Sequence, residues 1–268
     1  MTDLIIPQHF EQIAYKLRKL SGFNPESLGW SNFHNIIKRR MQACSIDELK
    51  HYSNLLENSN VERDALIEAI VIPETWFFRD ASSFYALKHI VVNWQHNAVN
   101  PLRILSLPCA TGEEPYSIAI ALREVGLVPH QFHIDAVDIS TTAITKAMQG
   151  IYTENAFRNN TIDFTNQYFI KTSQGYKLVD TICSNVNFSV NNFFTYYAAL
   201  PYNIIFCRNL LIYFDQEIRN QAFIHLHTML TTNGLLFLGH SESIQAIYHG
   251  WNATNYAGVF RKKDVFRV

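Results

Sequence analysis

The chain has 268 residues with 22 basic and 23 acidic side chains, a formal net charge of −1 and 48% hydrophobic residues. That length suits one large domain with an appendage or two unequal domains, and the balanced charge does not imply a partner held by bulk electrostatics, such as nucleic acid or an anionic membrane, although it leaves room for local patches. Cys44, Cys109, Cys183 and Cys207 are far apart without metal-ligand spacing and read as reduced thiols, and no stretch is long and apolar enough to span a bilayer, so a cytoplasmic protein without a metal is expected.

In chain order, Phe10, Ile13, Ala14, Leu17 and Leu20 recur at helical spacing from Gln8 to Leu20, with Gly22 as a stop. Asn24-Pro25 restarts the chain. Ser31 is the expected cap of a second helix whose stripe is Phe33, Ile37, Met41 and Cys44, with Lys38 and Arg39 on the other side and Arg40 flanking the stripe. Ser45 or Asp47 opens a third helix through Leu49, Tyr52, Leu55 and Leu56, and a fourth runs from about Val61 to Ile70. The helical pattern breaks at Pro73-Glu74-Thr75-Trp76-Phe77-Phe78-Arg79-Asp80, which marks a junction between two parts. A helix from Phe84 to about Trp94 follows.

The stretch from Arg103 to Ala119 carries the strongest chemical signal. An apolar run typical of a buried parallel strand passes through Pro108-Cys109-Ala110-Thr111-Gly112 into helical spacing at Tyr116, Ala119, Ile120 and Arg123, with Pro115 in the first turn where no N–H is needed. Pro108 and Ala110 stand where a dinucleotide loop wants glycines, and no phosphate-loop lysine follows. Glu113 and Glu114 at the helix start would repel a pyrophosphate and attract a cation, which favours a ligand with an ammonium group, such as S-adenosylmethionine. Their ordinary alternative is to complement the helix dipole, worth about 0.3–1 kcal/mol. A second parallel strand, His133 to Asp138, ends in a carboxylate placed either to accept the ribose hydroxyls of an adenosine cofactor or to cap the helix from Thr141 to Met148.

From Gly150 to Asn187 helical period is lost, and Tyr168-Phe169-Ile170 and Tyr176-Lys177-Leu178-Val179 flank a hairpin turn at Thr172-Ser173-Gln174-Gly175. Val186 to Val190 alternates as a strand. Tyr202 to Cys207 is a core strand that delivers Arg208, Asn209 and Leu210 to the carboxyl edge of a sheet. A helix from Gln216 to Leu230, Asn233-Gly234, a strand from Leu235 to Gly239, and an antiparallel strand within Tyr256 to Lys262 complete the chain. His240-Ser241-Glu242 has no nucleophile-elbow context, and sequence neighbours rarely form triads, which excludes a hydrolase.

Three motifs in order carry a family resemblance: Thr75-Trp76-Phe77-Phe78-Arg79, Cys109 to Ser117, and Cys207-Arg208-Asn209-Leu210-Leu211-Ile212-Tyr213-Phe214. Together they resemble the chemotaxis receptor glutamate methyltransferases, the CheR family, as does His240 to Ser243. The resemblance implies a small all-helical N-terminal domain, residues 1–72, and a Rossmann-like α/β S-adenosylmethionine-dependent methyltransferase domain, residues 73–268, with a small antiparallel β insertion at about 151–187. The implied activity is methylation of glutamate side chains of a chemoreceptor, leaving S-adenosylhomocysteine. Residue by residue, Thr75 and Arg79 fall at the cofactor and methyl-transfer site. Arg79 and Tyr213 aim the substrate carboxylate, Glu113 or Glu114 holds the methionine ammonium, and Asp138 holds the ribose. Asn192, Phe193, Asn209 and Leu210 surround the adenine. Lys38, Arg39 and Arg40 would dock the acidic receptor helices, although a solvated helix face is their ordinary role. Arg158 matches a family arginine, and the β insertion binds a receptor C-terminal peptide in some members. Pro73 departs from the polar residue, often Asn, that the family carries there. The rival readings are a methyltransferase acting on a small molecule, and an adaptor that keeps the fold without methyl transfer; intact Arg79, Glu113, Asp138 and Tyr213 argue against the latter.

Overall fold

The computed structural model of the chain describes residues 8–71, 74–95, 100–158, 162–243 and 250–263. Pro73, the departure noted above, lies outside them. Contacts divide the chain into two units, one comprising Met1–Ile72 with Ile212–Arg219 and the other Pro73–Leu211 with Asn220–Val268.

The first unit is built on α1 (Gln8–Ser21), α2 (Trp30–Ala43), α3 (Leu49–Asn58) and α4 (Asn60–Ile70). Such short helices are marginal alone and are held by burying one apolar face each, here Phe10, Ile13, Leu17, Phe33, Ile37, Tyr52, Leu66 and Ile67. Two helix starts differ from expectation. A 3₁₀ turn at Pro25–Leu28, held by Asn24 Oδ1 accepting from the Glu26 amide, leads to Gly29, whose φ of 79° makes it the cap of α2 in place of Ser31. Ser45 closes α2 instead of opening α3: it has φ 56°, and the next amide, Ile46, donates back to Met41 O at 2.9 Å. The third helix therefore starts at Leu49, after Glu48. The fourth opens as its capping chemistry requires, with Ser59 Oγ accepting from the Glu62 amide.

Buried Glu62 gathers this unit's polar groups. Arg40 grips it with Nε at 3.0 Å and Nη2 at 2.6 Å, and the Tyr52 hydroxyl (2.7 Å) and Cys44 thiol (3.1 Å) donate as well. The segment Ile212–Arg219 joins the same unit through Arg18, which bridges Asp215 at 2.5 Å and Glu217 at 2.7 Å.

The second unit runs α5 (Ala81–Gln95), β1 (Leu102–Ser106), α6 (Glu113–Glu124), β2 (Phe132–Asp138), α7 (Thr141–Gln149), β3 (Ile151–Tyr152), α8 (Ile162–Tyr168), β4 (Phe169–Thr172), β5 (Gly175–Leu178), α9 (Asp180–Cys183), β6 (Val186–Val190) and β7 (Tyr202–Cys207). It ends with the body of α10 (Gln216–Met229), then β8 (Leu230–Leu238), β9 (Asn252–Ala253) and β10 (Val259–Arg261). The main sheet has the order β6-β2-β1-β7-β8-β10-β9, parallel from β6 to β8, with β10 antiparallel to β8 and to β9. Strand order reverses between β1 and β7, so the loops after these strands open the crevice where α/β sheets bind ligands. The strands are apolar because both faces are covered: Ile104, Ile134, Ile204, Ile205 and Phe206 are buried, each such side chain contributing about 1.5–3 kcal/mol.

Three details of this unit depart from the sequence pattern. Helix α8 occupies part of the region without helical period and takes in Tyr168, so the hairpin strand begins at Phe169. Strand β8 begins at Leu230, before Asn233-Gly234. Its register jumps from Leu230↔Tyr202 to Leu235↔Ile204, so the left-handed Asn233 (φ 61°) is absorbed as a bulge within the strand. The last strand is confined to Val259–Arg261. The small sheet, order β3-β5-β4, is the antiparallel insertion.

Candidate functional site

The loop from Leu107 to α6 is tied down at nearly every residue. The Leu107 amide donates to Phe206 O and the Cys109 amide to Val137 O, both at 2.9 Å, which places the loop between β7 and β2. Gly112 has φ 95°, and a Cβ there would stand 2.8 Å from Ala147 Cβ and 2.9 Å from the Tyr152 hydroxyl, so no other residue fits this turn without displacing α7. That hydroxyl donates to Thr111 O at 2.9 Å.

The two carboxylates that open α6 have different surroundings. Glu114 is largely buried, its side chain 12% exposed; it accepts from Ser106 Oγ at 2.8 Å and is bridged by Arg208 Nη1 at 3.0 Å, so its charge is answered inside the protein. Glu113 is also buried and holds the Thr111 hydroxyl at 2.7 Å, but among the described residues no basic side chain pairs with it. Burial pushes its carboxyl above the usual carboxylate range, and the Thr111 hydrogen bond pulls it part of the way back. A buried carboxylate without a counter-charge suits a cationic ligand. Of the two alternatives for an ammonium group, the chemistry fits Glu113.

Asp138 ends β2 with its carboxylate nearly fully buried. Its Oδ2 accepts from the Ala110 amide at 2.8 Å and its Oδ1 from the Ser140 amide at 2.9 Å. The cap of α7 is Ser140, whose Oγ accepts from the Ala143 amide, so the capping alternative for Asp138 falls away. Asp138 instead joins the loop before α6 to the start of α7 through these two amides.

The loop after β7 is organised by a residue that sequence reasoning passed over. Glu242, 2% exposed, accepts four backbone amides: Asn209 and Gly239 on Oε2 at 2.9 Å, Leu210 and Leu211 on Oε1 at 2.9 and 2.7 Å. Burial raises its pKa while the four amides oppose the rise. Asn209, at φ 60°, is held in a left-handed conformation by this carboxylate. A lone Glu in a small polar run just past an apolar strand was the available signal. After β6, Asn192 Oδ1 accepts from the Phe194 amide at 2.9 Å, and Phe193 is buried with its ring 5.5 Å from that of His225.

At the start of the unit Thr75 is half-buried. The Arg79 guanidinium lies 4.6 Å over the Trp76 ring and donates to Glu74 O, and Arg158 lies 5.1 Å over the same ring. Arg79 follows Phe78 (φ 55°) and precedes Asp80 (φ 58°). Tyr213 belongs to the helical unit: its carbonyl accepts from the Asn24 amide at 2.8 Å and its ring stacks on Phe23 at 5.3 Å. Lys38 and Arg39 are exposed. Arg40 is not equivalent to them, since both arms of its guanidinium are spent on Glu62 and its removal would strand a buried carboxylate.

Residues 73–256 match the family model described as CheR methyltransferase, SAM binding domain. A relative described as probable biofilm formation methyltransferase WspC, from Pseudomonas putida, is 39% identical over 231 residues, 84% of this chain and 54% of that protein. Chemotaxis protein methyltransferase 2 of Vibrio cholerae is 36% identical over 79% of each chain. The chemotaxis protein methyltransferase of Escherichia coli K12 is 30% identical over 88% of this chain and 84% of its own. The chain spans little more than half the length of the WspC relatives it matches.

Proposed function

Because the chain belongs to the CheR methyltransferase family and carries its S-adenosylmethionine-binding domain, we propose that it methylates glutamate side chains of a chemoreceptor cytoplasmic domain. The observation that carries this reading is the buried Glu113 without a counter-charge, at the start of the helix where the sheet order reverses. When bound, S-adenosylmethionine supplies a methyl carbon on a sulfonium; its transfer to a carboxylate oxygen breaks the sulfur–methyl bond, the sulfur keeps the electron pair, and a neutral ester and S-adenosylhomocysteine remain.

The chain's own task is then modest. A glutamate of ordinary pKa near ~4.3 is ionised at neutral pH, so no general base is needed. Orientation carries the rate, and a well-aligned pair of reactants gains up to about 7–11 kcal/mol. In this proposal Glu113 binds the ammonium, Asp138 the ribose, and Asn192, Phe193, Asn209 and Leu210 the adenine surroundings, with Thr75 beside the cofactor. Arg79 and Tyr213 aim the accepting carboxylate. Exposed Lys38 and Arg39 offer acidic receptor helices a positive face, and the outer edge of β4 offers a receptor tail peptide a strand to pair with.

The test is incubation with methyl-labelled S-adenosylmethionine and a receptor cytoplasmic fragment. Label released as methanol by mild alkali, from glutamate, is the expected result, and alkali-stable label or none would end this reading. For the ribose assignment, Asp138→Ala should weaken S-adenosylhomocysteine binding at least tenfold in calorimetry, because a hydrogen bond to a charged group is worth about 1.5–3 kcal/mol and the Ala110 amide is orphaned as well. Unchanged affinity would remove Asp138 from the site.

A further inference from the structure

A chain of ion pairs, centred on buried Arg208 and open to solvent at Asp80, runs behind the loop that carries Arg79. The Arg208 side chain, 1% exposed, reaches Glu114 Oε2 with Nη1 at 3.0 Å and Asp80 Oδ2 with Nη2, and Ser106 Oγ closes the inner end on Glu114. Glu114 adjoins Glu113 in the first turn of α6, and Asp80 adjoins Arg79. The loop is anchored to the same helix from its other side, where the Phe78 amide donates to Ser117 Oγ at 2.9 Å and that hydroxyl donates to Glu113 O at 2.6 Å.

Between these anchors Phe78 and Asp80 both adopt left-handed backbone conformations, at φ 55° and 58°. Outside glycine such conformations are strained and persist only where surrounding contacts over-determine them. Asp is among the residues that tolerate this region; Phe is not. The contacts that impose it here are the Ser117 hydroxyl before Arg79 and the Arg208 guanidinium after it. A planar two-armed guanidinium fixes direction as well as distance, which a lysine in its place would not.

We infer that Asp80 and Arg208 are positioning residues for Arg79: the chain Glu114–Arg208–Asp80 locks the backbone on which Arg79 is presented to the first turn of the helix that holds Glu113. This inference rests on the proposed role of Arg79 in methyl transfer. It accounts for a buried guanidinium held between a largely buried carboxylate and a half-exposed one, an arrangement that by itself does little for stability once the guanidinium's desolvation is counted.

Variants at Asp80 separate pairing from backbone conformation. Asp80→Gly accepts φ 58° without strain but removes the partner of Arg208, whereas Asp80→Asn keeps both an acceptor and tolerance of the left-handed region. With receptor fragment as substrate, Asp80→Gly should lower kcat about tenfold or more and leave S-adenosylhomocysteine affinity within about twofold, because misaimed groups lose rate before they lose binding. Asp80→Asn should recover most of that loss. In an Arg79→Ala background Asp80→Gly should change nothing further, since its effect passes through Arg79. Parent-like kcat for a folded Asp80→Gly protein, or a loss that adds to that of Arg79→Ala, would overturn the positioning role while leaving Arg79 in place. Full turnover by Arg79→Ala itself would remove the role of Arg79, and this inference with it. Thermal unfolding of each variant, followed by circular dichroism, checks that the compared proteins are folded.

Discussion

Arg79→Ala should lower turnover on a receptor fragment about a hundredfold while S-adenosylhomocysteine affinity changes by no more than a few fold. The disparity follows from the role proposed for the guanidinium. The accepting carboxylate loses its charge on the way to a neutral ester, so a cation beside it stabilises the reactant at least as well as the transition state. Its contribution therefore comes from aim, the in-line approach of one oxygen to the methyl carbon, where an error of about 1 Å costs about a hundredfold. The Trp76 ring on which Arg79 lies, and the Glu74 carbonyl it donates to, restrict the guanidinium before substrate arrives. Arg79→Lys should recover little, since a point charge on a flexible stem has no plane to orient a carboxylate. Parallel falls in turnover and product affinity would make Arg79 a cofactor-binding group and leave the carboxylate without its aiming residue.

Glu242→Ala should be a severe change in the α/β unit, lowering unfolding stability by on the order of 3–5 kcal/mol. Four amides, of Asn209, Leu210, Leu211 and Gly239, would lose their acceptor at once. A domain has a net stability of only about 5–15 kcal/mol, so such a loss is a large fraction of the whole. Glu242→Gln keeps the shape but turns an NH₂ group toward two of the four donors, and should cost less while still weakening S-adenosylhomocysteine binding through Asn209 and Leu210. Denaturant midpoints measure the first effect and calorimetry the second. An unfolding midpoint for Glu242→Ala equal to that of the parent would show that water replaces the carboxylate at no cost, and would make Glu242 incidental.

The sheet was legible because its strands are short apolar runs with both faces covered: Arg103 to Ser106, His133 to Asp138 and Tyr202 to Cys207 pair in parallel as their pattern demands. Helix ends were less so. Ser31 and Ser45 have good capping chemistry, yet Gly29 caps α2 and Ser45 ends it, because left-handed backbone at those positions decides the matter and side-chain type does not report it. The candidate loop was legible from Glu113 and Glu114 as a pair, but their division of labour was not, since the Arg208 that neutralises Glu114 stands 94 residues further along. Arg40 looked like the third member of a basic cluster until Glu62, 22 residues away, claimed it. Glu242 was hidden for a related reason: it binds main-chain amides, mostly more than 30 residues distant, and no side-chain pattern records them.

Residues 212–219, grouped with the helices α1 to α4, bear on how such a protein can be taken apart or recombined. A break at the junction near residue 73 would look clean on paper, yet it would send Tyr213, Asp215 and Glu217 away with one fragment and leave Phe23, Asn24 and Arg18 in the other. Neither fragment is then a finished module. In a lineage that gains and loses flanking segments, the N-terminal helices and the tyrosine-bearing segment would have to be inherited together, because selection on one is selection on its packing partner.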